Sequence, residues 1–449
     1  MSRKLNVCLM NDSFPPVVDG VATCVANYAA VIEKELGHSM VCTPYYPNVT
    51  DDYPYPVFRY PSLNIGSTVQ GYRAGMPFNT KLLDTLRAQP IDIIHSHCPI
   101  MSTFLARTLR ESIHKPIVLT YHTKFDIDIQ NSISIKSMQK TAIRLLVANV
   151  AACDEVWVVS RGAGENLRSL GYEGDYVLME NGVDFQKGRA DDEKIRALNE
   201  ELHLAYDEPV FLFVGRMMWY KGIKTTLDGL RIAKVFGAKF TMLFVGDGAD
   251  KAAIMEYAKS IGVDDVCRFL PATHDREHLR VLYSRADLFL FPSDFDTNGL
   301  VVREAAACGT ASLVLQNSCA AEGITNERNG LLIQNDAADL ARCVYRIANA
   351  PRRAEELGEH AMNEIYLSWE DAIFRAYERY QVVLDKCKPI TYSDRPVHRG
   401  DDFFRMMSIL CSKPVPKKKL KRKPKHTQHK VYHLKKKDAP RLSEKERWM

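Results

Sequence analysis

Apolar positions in this chain alternate between short continuous runs and stretches with helical spacing, and that alternation predicts the architecture. The run at 5–10 reads as a buried strand. After a polar loop at 11–20, Val21, Val25, Tyr28, Ile32 and Leu36 recur along one helix face, and Gly37 ends that helix before a strand at 40–43. This is one βαβ unit. Further strands are expected at 91–95, 117–121 and 155–159, separated by helical segments at 100–113 and 136–152. The stretch 44–78 holds many prolines and glycines and reads as loops over one end of the sheet, a candidate acceptor-facing region.

A second alternation begins at 209–214 and continues through 240–245, 266–270, 288–291, 311–315 and 330–333, each run followed by a helix-like segment. Residues 184–208 are polar and read as the connection. Helical spacing returns at 369–384 and fades beyond Lys386. The predicted class is α/β: two doubly wound, Rossmann-like domains whose strand ends face one another across a cleft. The divisions expected are 1–185, 186–368, a helix at 369–388 and an extension at 389–449.

Composition adds room and charge adds asymmetry. A chain of 449 residues with 46% apolar residues can bury two cores. From Ser412 to Met449 there are 15 lysines and arginines against 3 acidic residues, +12 of a total of +5, so the remainder carries −7. This is an acidic body with a basic arm, too poor in apolar residues to fold alone, and such arms seek nucleic acid or anionic lipid. Sequence-tolerant single-strand binders interleave stacking aromatics, and the arm offers Tyr432 and Trp448 alone, which disfavours nucleic acid. The apolar run at the N-terminus is too short for a secretion signal, and 142–160 is interrupted by Arg144, Asn149, Asp154 and Glu155, so no spanning helix is expected. Eleven cysteines with no C-x-x-C pair read as buried thiols of a cytosolic protein.

The chemistry concentrates in two segments. In FVGRMMWYKG (213–222) a buried strand ends at Gly215 and a helix begins near Lys221, so Arg216 and Lys221 stand in a loop beside a helix N-terminus. Two fixed cations with free amides suit a diphosphate, both bound and leaving; two solvated charges at a strand end is the alternative. In FPSDFDTNGLVVREA (291–305) a strand ends at Phe291, a glycine-containing loop follows, and a helix starts at Leu300. Asp296 lies in the loop and Glu304 one or two turns into the helix. Carboxylates there cannot bind a diphosphate by charge and are expected on ribose and sugar hydroxyls; simple helix stabilisation is the competing account. Asp126 with Asp128, and Asp294 with Asp296, satisfy an Asp-x-Asp pattern that can hold a divalent metal. Arg216 and Lys221 make a metal redundant, so none is expected.

These segments resemble the retaining glycosyltransferases of family 4, which have the GT-B fold. Its paired carboxylates are similar to Asp296 and Glu304, and its diphosphate-site Arg and Lys match Arg216 and Lys221. Phe14-Pro-Pro-Val-Val-Asp-Gly-Val21, His95-Ser-His97, Thr120-Tyr-His-Thr123 and Asn181-Gly-Val-Asp184 resemble other signatures of the family, in the same order, over residues 5–385. Two departures are Asp19, where the family often has Gly, and Asp296, one methylene shorter than the usual Glu.

The resemblance implies a nucleotide-sugar donor, with uridine preferred as its base, no cofactor, transfer with retention, and residues 369–388 as a crossover helix returning to the first domain. It implies that Gly20 lets the first loop approach the phosphates, that His122 reaches the sugar near its reacting carbon, and that Arg216, Lys221, Asp296, Asn298, Gly299, Leu300 and Glu304 contact the donor. Read without the resemblance, His122 favours a hydrogen-bonded structural histidine; its position in the matched loop reverses that. No protein nucleophile or base is implied, the leaving phosphate itself accepting the acceptor's proton. The variant Asp-Thr-Asn-Gly followed by Val-Arg-Glu-Ala-Ala-Ala-Cys-Gly looks closest to bacterial members, among them enzymes that glycosylate diacylglycerol at the membrane. A lipid acceptor is therefore expected, with the arm at 413–447 on the anionic inner face of the cell membrane. A soluble or polysaccharide acceptor, a silent sugar-nucleotide sensor and a nucleic-acid binder are the alternatives.

Overall fold

The computed structural model describes residues 3–387, apart from Val18, 65–72, 77–79, 127–128, 130–132 and His274, together with Met406. The extension at 389–449, with its basic arm at 413–447, lies otherwise outside the described residues.

The first sheet has seven parallel strands: β1 (Asn6–Met10), β2 (His38–Pro44), β3 (Val57–Tyr60), β6 (Ile93–Ser96), β7 (Ile117–Tyr121), β8 (Glu155–Val158) and β9 (Val177–Leu178). Their order is β3-β2-β1-β6-β7-β8-β9. Two short strands, β4 (Ser62–Asn64) and β5 (Arg73–Gly75), pair antiparallel beside it. The second sheet has six: β10 (Val210–Val214), β11 (Thr241–Val245), β12 (Cys267–Leu270), β13 (Leu288–Phe291), β14 (Ser312–Leu315) and β15 (Gly330–Ile333). Its order is β12-β11-β10-β13-β14-β15, again parallel. Helices cover both faces, so central strands such as Phe-Leu-Phe in β10 are buried on both sides and read as unbroken apolar runs. In each sheet the order reverses beside the first strand, between β1 and β6 and between β10 and β13. Open α/β sheets bind ligands at the carboxyl ends of strands at such points.

The stretch at 44–78 is more structured than its proline and glycine content suggests. It supplies the edge strand β3 and the β4–β5 pair. The polar connection at 184–208 likewise contains a helix, Asp192–Glu201, which buries Ile195 and Leu198 against the second core.

The helix Trp369–Lys386 returns to the first domain. Ser368 caps it, accepting from the Asp371 amide at 3.0 Å. Trp369, Ile373, Ala376, Tyr377, Tyr380 and Val383 pack into the core that contains β1 and the helix Gly20–Val31. The Tyr377 hydroxyl accepts from the Leu5 amide (2.7 Å) and donates to the Leu36 carbonyl (3.0 Å), and Arg379 grips the Glu155 carboxylate at 2.8 and 2.7 Å. The two passages of the chain between domains run side by side: Val183 pairs with Ser368, and a Cβ at Gly182 would stand 2.4 Å from the Ser368 carbonyl oxygen.

Candidate active site

The cations are placed by glycine. Gly215, at φ +153°, turns the chain out of β10 into Arg216, and Gly222, at φ +77°, opens the helix Ile223–Val235. A Cβ on Gly222 would lie 1.9 Å from the Pro292 carbonyl oxygen, so only glycine lets the loop at 215–222 touch the one at 292–299. That contact brings Lys221 Nζ to 3.6 Å from Asp296 Oδ1, while Asp296 Oδ2 accepts from the Gly299 amide at 2.6 Å. Burial pushes the Lys221 ammonium below its ordinary pKa; Asp296 opposes the shift and Arg216 adds to it. Arg216 is exposed and has no ion-pair partner among the described residues. The result is one free and one half-neutralised cation at the switch point of the second sheet.

Asp296 thus serves partly as a clamp on its own loop and a partner to Lys221, in addition to any hydroxyl contact. Glu304, in the helix Leu300–Ala307, is engaged too: Oε1 accepts from Arg276 Nη2 and Oε2 from the Tyr283 hydroxyl, each at 3.0 Å. Burial raises its pKa against the pull of Arg276. Each oxygen keeps a second lone pair for a ligand hydroxyl. Both amide atoms of Asn298 are buried with no hydrogen-bond partner among the described residues, in a cavity of about 10 Å³ lined also by Ser160, Glu180, Arg303, Cys319 and Glu322.

From the first domain, Asp19 caps the helix Gly20–Val31, its carboxylate accepting from the Val21 and Ala22 amides at 2.8 Å. The departure at Asp19 therefore has a structural account. Gly20 faces the start of the helix Leu300–Ala307: its absent Cβ would lie 4.0 Å from Leu300 Cδ1. His122 follows β7 and His97 follows β6; His122 Nε2 and His97 Nδ1 share a hydrogen bond of 3.0 Å. His122 is 5% exposed, and burial pushes it down to about 3, so the ring is neutral near pH 7. Cys24, one turn along from Gly20, completes a buried trio with them, its ligand atoms within 4.8 Å of each other, close enough for a single metal ion. His95 is tied instead to the Tyr380 hydroxyl (2.6 Å) and Thr120 Oγ1 (2.7 Å) and is structural. Of the Asp-x-Asp pairs, Asp128 lies outside the described residues, Asp126 accepts from Asn166 at 3.2 Å, and Asp296 is matched by Lys221.

Two groups therefore form: Arg216, Lys221, Asp296 and Asn298 to Leu300 with Gly20 opposite, and His122 with His97 and Cys24. Arg276, Tyr283, Ser160 and Glu322 are site neighbours that the sequence does not flag. Ser160 caps the helix Arg161–Ser169 and Tyr283 is buried in the second core, so neither stands out in the sequence.

Known proteins match this chain in sequence and in fold. A model described as Glycosyltransferase Family 4 matches residues 18–187, and one described as Glycosyl transferases group 1 matches residues 194–364. The alpha-monoglucosyldiacylglycerol synthase of Acholeplasma laidlawii is 22% identical over 369 residues, 80% of this chain and 92% of its own. A D-inositol 3-phosphate glycosyltransferase of Catenulispora acidiphila is 26% identical over 68% of this chain and 73% of its own. Among solved structures, the sucrose-phosphate synthase of Thermosynechococcus elongatus superposes with a TM-score of 0.67 at 23% identity, over 85% of this chain and 100% of its own. Anabaena HepE in complex with UDP-glucose superposes with a TM-score of 0.64 at 16% identity, over 85% and 100%. With matching models in series over most of its length, on two facing parallel sheets joined by a crossover helix, the chain belongs to glycosyltransferase family 4 and has the GT-B fold.

Proposed function

We propose that the protein transfers a hexosyl group from a nucleotide diphosphate sugar, a UDP-sugar, to an acceptor hydroxyl with retention and without a metal. The observation that carries this reading is the pair of cations at the end of β10, Arg216 exposed and Lys221 held 3.6 Å from Asp296. As the bond from the sugar to the diphosphate breaks, negative charge grows on the leaving oxygens, and preorganised cations there lower the barrier. Glu304 fits a ribose hydroxyl through its remaining lone pairs. His122, being neutral, can donate or accept a hydrogen bond at a sugar hydroxyl but supplies no charge. The leaving diphosphate takes the acceptor's proton, so no protein base is required. HepE has been solved with UDP-glucose, which supports a UDP-sugar donor on this fold.

The acceptor we propose is a membrane lipid such as diacylglycerol. Two relatives are named alpha-monoglucosyldiacylglycerol synthases. The helix Lys136–Ala151 carries no acidic residue and exposes Met138 (54%) and Leu145 (64%), with Ile135 (57%) just before it, beside exposed Lys136, Lys140 and Arg144. Such a face suits an anionic surface. No helix among the described residues is long and apolar enough to cross a membrane, so attachment is peripheral in this proposal, on the inner face. The test is hydrolysis of a panel of nucleotide sugars by the purified protein, repeated with anionic vesicles containing diacylglycerol and in excess chelator. Activity that chelator abolishes and manganese or magnesium restores would overturn the metal-free site. A glucosylated or galactosylated lipid product confirms the acceptor class; transfer only to soluble sugars overturns it.

A further inference from the structure

The loop at 292–299 belongs to the second domain, yet a side chain of the first holds it. Ser160 Oγ donates to the Thr297 carbonyl at 2.7 Å, between Asp296 and Asn298, and accepts from the Ala163 amide at 3.0 Å. In the opposite direction, Glu322 of the second domain reaches the N-terminus of the helix Arg161–Ser169. Its Oε2 accepts from the Arg161 amide at 2.7 Å and its Oε1 from the Gly162 amide at 2.8 Å. These amides have no acceptor within their own helix, and a carboxylate is the group that the positive end of a helix favours. Gly162 makes the approach close enough: a Cβ there would stand 2.5 Å from Cys319 Sγ. A third crossing is the ion pair of Arg303 with Glu180. Each domain thus satisfies polar groups that the other leaves open.

We propose that Ser160 and Glu322 form an interdomain latch that positions the donor loop against the first domain, setting the distance from Asp296 to Gly20 and His122. This rests on the reading of that loop as the donor site. Ser160 and Glu322 are positioning residues; they act through the loop and touch no substrate. Arg216, Lys221 and Glu304 are all carried by the second domain, so the latch governs turnover and leaves binding of the bare diphosphate alone. A misplacement of about 1 Å remote from the chemistry costs about a hundredfold in rate.

A steric wedge tests this without removing a hydrogen bond. Gly162→Ala in the full chain is favourable for its own helix, but its methyl meets Cys319 Sγ. Cys319→Ala restores room, since the next atoms, Glu322 Oε1 and Cys319 Cβ, lie at 3.6 and 3.7 Å. We expect Gly162→Ala and Glu322→Ala to lower turnover of a UDP-sugar about ten- to a hundredfold, with affinity for UDP, measured by calorimetry, unchanged. Gly162→Ala with Cys319→Ala should recover the turnover of Cys319→Ala alone. Hydrogen exchange at the Arg161 amide reads the latch with no substrate present, and should quicken in Gly162→Ala and return in the double variant. Wild-type turnover and wild-type exchange in Gly162→Ala would overturn the latch, as would a loss that Cys319→Ala fails to restore. A wild-type protein that binds no UDP would sink the donor reading instead, while exchange still judges the latch.

Discussion

Replacing Lys221 by methionine separates charge from packing. The side chain is 13% exposed, with its ammonium 3.6 Å from Asp296 Oδ1 and 5.3 Å from the centre of the Phe291 ring. Methionine keeps the apolar stem and removes the cation. At an effective dielectric of about 20, unit charges at that separation interact by about 4–5 kcal/mol, so a diphosphate oxygen at a similar distance is strongly stabilised. After the cost of releasing Asp296, the net loss on removing one preorganised donor is about 2.7–4 kcal/mol, and kcat at saturating donor should fall about a hundred- to a thousandfold. Stability should move the other way. Burial lowers the folded-state pKa of Lys221 below that of the unfolded chain, so the charged form penalises folding at neutral pH, and the penalty disappears as pH rises through the folded value towards 10.5. Lys221→Met should therefore be at least as stable as wild type at pH 7, and its advantage should shrink at high pH. Steady-state hydrolysis of a UDP-sugar and thermal unfolding from pH 7 to 10 supply both measurements. Wild-type kcat in Lys221→Met would show that the diphosphate lies elsewhere.

Glu304→Ala should weaken UDP and UDP-sugar equally, by about 1.5–3 kcal/mol for a charge-assisted hydrogen bond; calorimetry showing wild-type affinity for UDP would refute a ribose contact. His122 is depressed to about 3 by burial, so kcat/KM should show no inflection near pH 6.5 that His122→Asn removes. Its contribution to stability should be lost as pH falls from 6.5 towards 3, because the unfolded chain takes up the proton first, and His122→Asn should flatten that part of the melting curve. Truncation before Lys413 should sharply weaken sedimentation with anionic vesicles, leaving only what the helix Lys136–Ala151 contributes, while sparing slow hydrolysis of the donor in solution. The same binding in the full chain should fade as salt shortens screening to about 3 Å at 1 M. Undiminished vesicle binding by the truncated chain would move the anchor to the helix Lys136–Ala151.

The parts of this fold that are legible in the sequence are those buried on both faces. β10, β11 and β13 are apolar at nearly every position because helices cover them above and below, and the loops that follow them could be placed from that alone. Elements with one thin buried stripe escape such reading. Asp192–Glu201 shows two buried aliphatic residues among acidic ones, and β3 is four residues between prolines at the edge. The residue types of the candidate site were readable as two cations after one buried strand and two carboxylates after another. Their pairings were not. That Asp296 is shared between Lys221 and the Gly299 amide depends on Gly222 meeting Pro292, a contact across 70 residues of chain. Ser160 and Glu322 carry no local sign of function because each acts on a backbone group of the opposite domain.

The return of Trp369–Lys386 to the first core has a consequence for how the protein is made. The second domain is continuous in sequence and can complete its core once residue 365 is available. The first cannot: the Leu5 amide and the buried ring of His95 find their partners in Tyr377 and Tyr380, and Trp369, Ile373 and Val383 fill the space between. On a ribosome the domain begun first is finished last, and until the final helix emerges it holds an open apolar groove flanked by unpaired polar groups. Released chains that end before Trp369 should therefore present a folded second domain tethered to a first domain that chaperones and proteases still recognise.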